Sequence, residues 1–212
     1  MSLRPLLLAA IAGLFAANAS AAVLFSTLAQ SNGAPAVMFD TDYRLASDFQ
    51  TQASTASITG LTLQLSNVDS ISHSFVAKLF SDASGTPGAE LTSFSTQVIA
   101  AGVSGVNQLF SHPGYSLAAN TNYWVVLEML ENTSTDNPIW SGNTSGGIDG
   151  GGSFLEITST KAQSSFDAGA SWGDSIPDNF LFNVIGVIAV PEPSRAVLAI
   201  AGLFGLCFRR RR

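Results

Sequence analysis

The chain has 212 residues, of which 46% are hydrophobic and only 11% are charged, and this length suits one ordinary domain. Between residues 22 and 190 the only basic residues are Arg44, Lys78 and Lys161, against fourteen acidic ones, so this body carries a formal charge of −11. Because an acidic body repels phosphate backbones, nucleic acid is excluded as a partner. The single cysteine, Cys207, lies outside the body, which therefore has no disulfide.

The first 21 residues have the three parts of a secretory signal peptide. Arg4 supplies the basic region, residues 6–17 form the apolar region, and Ala19 and Ala21 are the small residues of a cleavage site. We expect signal peptidase to cut after Ala21, with Ala22 as the second choice. An uncleaved membrane anchor is disfavoured, because the apolar run is short and small residues follow it.

Alternating polarity, rather than helical spacing, runs through residues 22–189. In LTLQL at 61–65 the leucines share one face and the polar residues the other, and residues 75–79 repeat the pattern. The segment 122–130 is apolar on nearly both faces, which is typical of a central strand. The segment 179–188 is predicted as a long closing strand.

Clusters of glycine, proline and small polar residues separate these runs, since glycine accepts positive φ and proline presets φ for a turn. They lie at 82–88, 101–105, 112–114 and 141–152. This spacing predicts an all-β domain, an antiparallel, jelly-roll-like β-sandwich over residues 22–189. We expect it to be flanked by an N-terminal signal helix and a short C-terminal hydrophobic helix.

Five stretches of the body resemble the choice-of-anchor R domain. They are ASDFQT at 46–51, ITGLTLQLSN at 58–67, FVAKLFSDASGTPGAEL at 75–91, SLAANTNYWVVLE at 116–128 and GASWG at 169–173. The resemblance implies a β-sandwich surface module that occurs with alternative anchoring tails. It implies no catalytic residues.

The last 23 residues, 190–212, combine a proline-rich motif, an apolar run and a basic end. The thirteen apolar residues of 196–208 would span about 20 Å as a helix, less than the ~30 Å of a bilayer core. Clustered arginines stay cytoplasmic, so Arg209, Arg210, Arg211 and Arg212 would hold the body on the other side of the membrane. This physics predicts a temporary, removable anchor in the inner membrane.

The motif Val190-Pro191-Glu192-Pro193-Ser194, followed by the apolar run and the arginines, resembles the PEP-CTERM sorting signal. The resemblance implies cleavage by an exosortase-type protease-transpeptidase and transfer of the body to the cell surface or extracellular matrix. Arg195 directly after the motif is a small departure from the pattern. The same tail is also known as the ice-binding protein C-terminal domain, a label that describes the tail alone.

The pentapeptide GASWG at 169–173 matches the G-x-S-x-G pattern, in which Ser171 would be a nucleophile. That motif needs a strand before it and a helix after it, whereas the following DSIPD favours a turn. His73 and His112 both precede Ser171, while an α/β-hydrolase places its histidine after the serine. We therefore predict no catalytic residues, and we interpret both histidines as ordinary exposed side chains rather than metal ligands.

Asp40, Asp42 and Asp48 cluster in FDTDYRLASD, and Asp149 lies in the glycine-rich segment. Carboxylate oxygens suit calcium, which makes these residues weak candidate ligands for a structural calcium ion. The spacing does not match an EF-hand loop, and solvated turn carboxylates are the favoured interpretation. No other metal or cofactor is predicted.

The tryptophans divide into one core residue and two candidate ligand contacts. Trp124 lies in the most apolar strand and is predicted to be buried. Trp140 and Trp172, beside glycine-rich turns, are predicted to be exposed and able to stack on the apolar face of a sugar ring.

These features predict an exported, non-enzymatic protein of the cell surface or matrix, with a structural or adhesive role that involves exopolysaccharide. The alternative is a secreted hydrolase that acts on matrix polysaccharide or ester groups. Such a glycosidase needs two carboxyl groups that face one cleft, about 5–10 Å apart.

Overall fold

The computed structural model describes residues 21–28, 36–38, 40–68, 70–131, 138–143, 161–174 and 179–188. The described residues form fifteen strands and no helix. Both predicted flanking helices lie outside these ranges. In the part of the chain that the structure describes, no helix is long and apolar enough to cross a membrane.

In chain order the strands are β1 Ala22–Ser26, β2 Ala36–Val37, β3 Arg44–Gln50, β4 Ala56–Asn67, β5 His73–Asp82, β6 Pro87–Ser93, β7 Gln97–Ile99, β8 Val103–Leu117, β9 Asn122–Met129, β10 Ile139–Trp140, β11 Gly142–Asn143, β12 Ala162–Ser165, β13 Gly173–Asp174, β14 Asn179–Phe180 and β15 Phe182–Ile188.

All the strand pairs are antiparallel. A six-stranded sheet has the order β1-β15-β4-β10-β2, and β8 also pairs with β4. A seven-stranded sheet has the order β13-β12-β3-β9-β5-β6, and β7 also pairs with β5. Strands β11 and β14 form a separate pair. The prediction of an all-β, antiparallel domain is therefore confirmed.

The two large sheets share one hydrophobic core. The six-stranded sheet supplies Leu61 and Leu63 from β4 and Phe182 from β15, and the seven-stranded sheet supplies Val125 and Leu127 from β9. The alternation predicted at 61–65 is confirmed, because the leucines are buried while the intervening polar residues are partly exposed. Large aliphatic and aromatic side chains thus fill the space between two layers, the arrangement of a sandwich.

A β-bulge crosses the middle of the six-stranded sheet. The pairing of β4 shifts register at Thr59, against both β8 and β15. On β8 the shift takes up residues 112–114, which were predicted as a turn between strands and instead lie inside one continuous strand. Proline and glycine suit a bulge as well as a turn, which is why the local sequence did not separate the two.

Glycine at position 186 is required by the same bulge. A Cβ there would overlap with the carbonyl oxygen of Ser57 and would lie 2.8 Å from the Cδ1 of Leu24. Gly186 thus fixes how closely β15 approaches β4 at the bulge.

The segment 179–188 was predicted as one strand but is broken at Leu181. The first part of the segment, β14, pairs with β11, and the second part, β15, pairs with β4 and β1. The sequence showed the apolar run and not its division between two sheets.

Candidate functional site

A polar cleft of about 360 Å³ lies at one end of the seven-stranded sheet. Strand β3 ends there at Gln50, strand β5 ends there at Asp82, and the turn 118–121 leads into strand β9. All the lining residues carry polar side chains: Gln50, Ser81, Asp82, Asn120, Thr121, Asn122 and Tyr123. Their amide, hydroxyl and carboxylate groups offer both donors and acceptors to a ligand.

Partly buried hydrogen bonds hold the turn that lines the cleft. The backbone N–H of Thr51 donates to the carbonyl of Thr121, and the Thr121 N–H donates to the Thr51 hydroxyl at 2.9 Å. The Tyr123 hydroxyl accepts the N–H of Ala118 at 2.9 Å. Asn120 adopts a φ of 50°, in the left-handed region that asparagine tolerates better than most residues. The turn is therefore fixed before any ligand arrives.

The side chains of Asn120 and Asn122 are exposed, and their amides make no hydrogen bond within the described part of the chain. The carboxylate of Asp82, in contrast, is hydrogen-bonded. Its Oδ1 accepts the indole N–H of Trp124 at 2.8 Å, and the Gly85 N–H approaches both carboxylate oxygens at 3.1 and 3.2 Å. The cleft thus combines two amides available to a ligand with one oriented carboxylate.

Next to the cleft, the outer face of the seven-stranded sheet carries a small hydrophobic cluster of Ala46, Phe80, Trp124 and Val126. Trp124 is 0% exposed, as predicted, although its side chain lies outside the main core. Trp172 packs over this cluster and is itself partly buried. Trp172, which was predicted to be an exposed sugar contact, is therefore partly buried and covers this cluster.

Asp48 lies beside the same cluster and is only 8% exposed. Burial raises the pKa of its carboxyl group to about 6, even though the backbone N–H of Lys161 donates to it at 2.6 Å. The negative charge of Asp82 adds to this rise in pKa. Asp48 was proposed as a calcium ligand, but it does not line the cleft.

Paired charged side chains border the other side of this hydrophobic cluster. Glu128 is buried and lies 2.9 Å from the Lys78 ammonium and 3.1 Å from the Arg44 Nε. The contact with Arg44 is a close ion pair that lacks the alignment of a hydrogen bond. Lys78 also contacts Glu90 at 3.0 Å. These pairs compensate charges that burial would otherwise penalise.

Ser171 lies in a loop between β12 and β13, not between a strand and a helix. Its hydroxyl donates to Asp167 Oδ2 at 2.6 Å, and its N–H donates to Asp167 Oδ1 at 2.8 Å. The two bonds from Ser171 and one from Ser165 lower the pKa of Asp167 to about 2. GASWG therefore ties a loop together and lacks the nucleophile-elbow geometry.

One of the two histidines differs from its prediction. His73 was interpreted as exposed but is 1% exposed at the start of β5, since its alternation with Phe75 and Ala77 turns it toward the core. His112 is partly exposed, where its Nε2 lies 2.9 Å from the Thr92 hydroxyl.

The structure does not bring the calcium candidates together. Asp40 Oδ1 accepts the backbone N–H groups of Asp42 and Tyr43 at 2.9 and 2.8 Å, which closes a turn before β3. Asp48 lies further along β3 on the sheet face. Among the described residues, no group of three or more histidine, cysteine or acidic side chains could hold a metal ion.

The prediction that Trp140 is an exposed ligand contact is wrong. Trp140 is 0% exposed: it stacks on Phe180 at 4.4 Å and donates its indole N–H to the carbonyl of Leu181. Among the described residues, Phe166 is instead an exposed aromatic side chain: it is 71% exposed and packs on Tyr43 with ring centroids 4.6 Å apart. The glycine-rich turns beside Trp140 and Trp172 did not indicate which of the two indole rings would be buried.

Several predicted sites lie outside the described residues. They are Ala19 of the cleavage site, the calcium candidate Asp149, the sorting motif at Val190, Pro191, Glu192, Pro193 and Ser194, and the basic end at Arg209, Arg210, Arg211 and Arg212.

Sequence reasoning missed the cleft. Its residues come from three strand ends and a turn, 72 positions apart between Gln50 and Asn122. The one available signal was the polar N-T-N at 120–122, directly before the most apolar strand. A run of amides at such a place favours either a turn or a binding site, and the residues on the neighbouring strands decide between them.

No protein-family model matches the chain, and no curated protein matches it. The chain is similar to the structure of the cysteine protease and lectin-like domains of Cwp84, a surface layer associated protein of Clostridium difficile, with 15% identity and a TM-score of 0.53. A structure of the clostridial cysteine protease Cwp84 after propeptide cleavage has 13% identity and a TM-score of 0.49. Each match covers 77% of this chain, which spans only 35% and 39% of the two structures. The first likeness shows a shared fold.

Proposed function

We propose that this chain is an exported, non-catalytic protein of the cell surface or extracellular matrix, and that its β-sheet body binds exopolysaccharide in the polar cleft. The observation that carries this proposal is the cleft itself. Its rigid floor presents two free amides, Asn120 and Asn122, beside the oriented carboxylate of Asp82. Such groups match the hydroxyls of a sugar ring, which both donate and accept hydrogen bonds.

Export and sorting form the second part of the proposal. We infer a signal peptide at 1–21, a body at 22–189 that is a jelly-roll-like sandwich of the choice-of-anchor R type, and a PEP-CTERM segment at 190–212. The described strands support it, because Ala22 pairs with Gly186 and Ile188 pairs with Ala56. Residues 22 and 188, which would join the body to the two flanking segments, therefore lie at the same end of one sheet.

This proposal implies four partners: signal peptidase, an exosortase-type enzyme, the inner membrane, which the chain contacts transiently, and exopolysaccharide. The Clostridium difficile neighbour is described as a surface layer associated protein with a lectin-like domain, which agrees with this location. At 15% identity the likeness concerns the fold, so the proposal rests on the cleft and on the residues of the two ends.

A glycosidase would need a protonated acid and a carboxylate in one cleft. Asp48 has the raised pKa of an acid and Asp82 lines the cleft, but Asp48 does not. Asp82 is moreover oriented by the N–H groups of Trp124 and Gly85, and no second carboxylate among the described residues lines the cleft beside it. The arrangement therefore favours binding over hydrolysis.

A glycan array tests the binding proposal. The mature secreted protein should bind polysaccharide fragments, and the double variant Asn120→Ala/Asn122→Ala should lose that binding. Asn107→Ala, an exposed amide on β8 outside the cleft, is the matched control and should bind like the wild type. Screening with and without calcium decides whether the ion contributes. Unchanged binding by the double variant would show that the cleft is not the site.

Mass spectrometry tests the sorting proposal. Proline disfavours helix at the preceding residue and lacks an N–H donor, so Pro191-Glu192-Pro193 should stay extended and accessible to a protease. We expect released protein to end at or before this motif. The Pro191→Ala/Pro193→Ala variant should remain full-length in the inner membrane. An exported protein that still ends at Arg212 contradicts the sorting signal.

A further inference from the structure

We propose that the cleft selects sugars that carry a free amine, so that its ligand is a polymer containing cationic hexosamine rather than a neutral or uronate-rich one. This inference rests on the proposed carbohydrate binding and names the ligand class. It depends on the charge of the cleft, which contains one carboxylate, Asp82, and no basic side chain among its lining residues.

The carboxylate of Asp82 is positioned for a charged donor. Its two oxygens offer about four lone-pair sites. The Trp124 indole and the Gly85 N–H use part of this capacity, and Oδ2 accepts only the longer contact of 3.2 Å from Gly85. These two neutral donors orient the group without cancelling its charge. An ammonium group brings three donors and can therefore bond Asp82 and the amide oxygens of Asn120 and Asn122 together.

None of the body's three basic residues neutralises Asp82 by an ion pair. Arg44 pairs with Glu128, and Lys78 pairs with Glu128 and Glu90. Lys161 approaches the turn of Gly85, where its Nζ lies 3.4 Å from the position of a Cβ on that glycine, and makes no ion pair within the described residues. The surrounding body carries a charge of −11, which attracts cations and repels uronates.

The experiment compares four oligosaccharides of equal length on the mature secreted protein by isothermal titration calorimetry. They are a glucosamine oligomer, its N-acetylated form, a glucose oligomer and a glucuronate oligomer. A charge-assisted hydrogen bond is about twice as strong as a neutral one, so we expect the amine to bind about ten-fold more tightly than the N-acetylated form. Added salt, or a pH high enough to deprotonate the amine, should remove this preference.

Two variants test which residue of the cleft causes the preference for the amine. Asp82→Asn should bind the amine and the N-acetylated oligomer equally. Because Asp82 also orders the turn at Gly85, Asn122→Ala provides a second test: it should weaken both ligands by several-fold, and the amine should still bind more tightly than the N-acetylated form.

The outcomes separate the two proposals. Equal binding of amine, N-acetylated and neutral sugars, or tighter binding of the glucuronate, overturns the amine inference and leaves the carbohydrate proposal standing. An amine preference that survives in Asp82→Asn also overturns it. No binding of any oligomer, together with a blank glycan array, overturns both.

Discussion

The two faces of strand β9 show how differently one run of apolar residues is used. On the inner face, Tyr123, Val125 and Leu127 join the main core between the sheets. On the outer face, Trp124 and Val126 form a small cluster under the single ring of Trp172. Both faces are buried, but the inner one meets a second sheet and the outer one meets a loop.

The two faces of β9 also differ in the charged side chains that lie beside them. The inner face of the strand joins the apolar core, whereas the outer cluster is bordered in the sheet by the buried carboxylates Asp48 and Glu128. A loop cover leaves these carboxylates partly dehydrated, which costs free energy unless a partner compensates it. The outer face thus carries the pH dependence and leads to the cleft, while the inner face carries most of the packing energy.

The largest loss of stability is expected for Gly186→Ala, in strand β15 of the six-stranded sheet. The added Cβ would overlap with backbone at Ser57 and press on Leu24, so we expect a loss of about 3 kcal/mol in the free energy of unfolding. Gly173→Ala is the matched control, since nothing lies within 4 Å of its added Cβ. Denaturant titration measures both. Equal midpoints for the two variants would remove the steric role assigned to the bulge.

Two neighbouring valines test the difference between the faces of β9. Val125→Ala and Val126→Ala delete the same two methyl groups from neighbouring residues that are both 0% exposed. We expect Val125→Ala to cost about 2 kcal/mol, because the rigid sheet packing cannot fill the cavity. Val126→Ala should cost about 1 kcal/mol, because the loop that carries Trp172 can move inward. Denaturant midpoints decide, and a larger loss for Val126→Ala would contradict the difference between the faces.

Asp48→Asn should change the pH dependence of stability. The folded pKa of about 6 lies above the ordinary value of an aspartate, so ionisation favours the unfolded chain. The wild type should therefore lose stability as the pH rises from about 4 to 6, by about 3 kcal/mol in total. The variant should lack this loss and be the more stable protein at pH 8. Asp174→Asn, on an exposed residue, is the control. A wild type whose stability rises over this pH range would refute the assignment.

Ser171→Ala should have the smallest effect on stability and none on catalysis. Any background ester hydrolysis should stay unchanged, and the unfolding midpoint should stay close to that of the wild type. The substitution removes the largest cause of the low pKa of Asp167, which should rise toward its ordinary value in an NMR titration. Loss of ester hydrolysis in this variant would restore the nucleophile interpretation.

Much of the fold could be predicted from local pattern. The leucines of 61–65 and the apolar run of 122–129 follow their faces in the structure, because alternation is fixed by the two-residue period of a strand. The bulge at 112–114 and the break at Leu181 could not be predicted, since both depend on which neighbour each strand meets. The same limit explains the wrong exposure of Trp140, whose ring is buried by Phe180 from a distant strand.

The strand content, the acidic character of the body and the signals expected at the two ends could be predicted because each depends on residues adjacent in the chain. The burial of individual tryptophans, the dehydration of Asp48 and the set of side chains that line the cleft became visible only in the folded chain. These properties depend on contacts between residues far apart in sequence. Gln50 and Asn122 become neighbours only when β3 pairs with β9, and that pairing assembles the cleft.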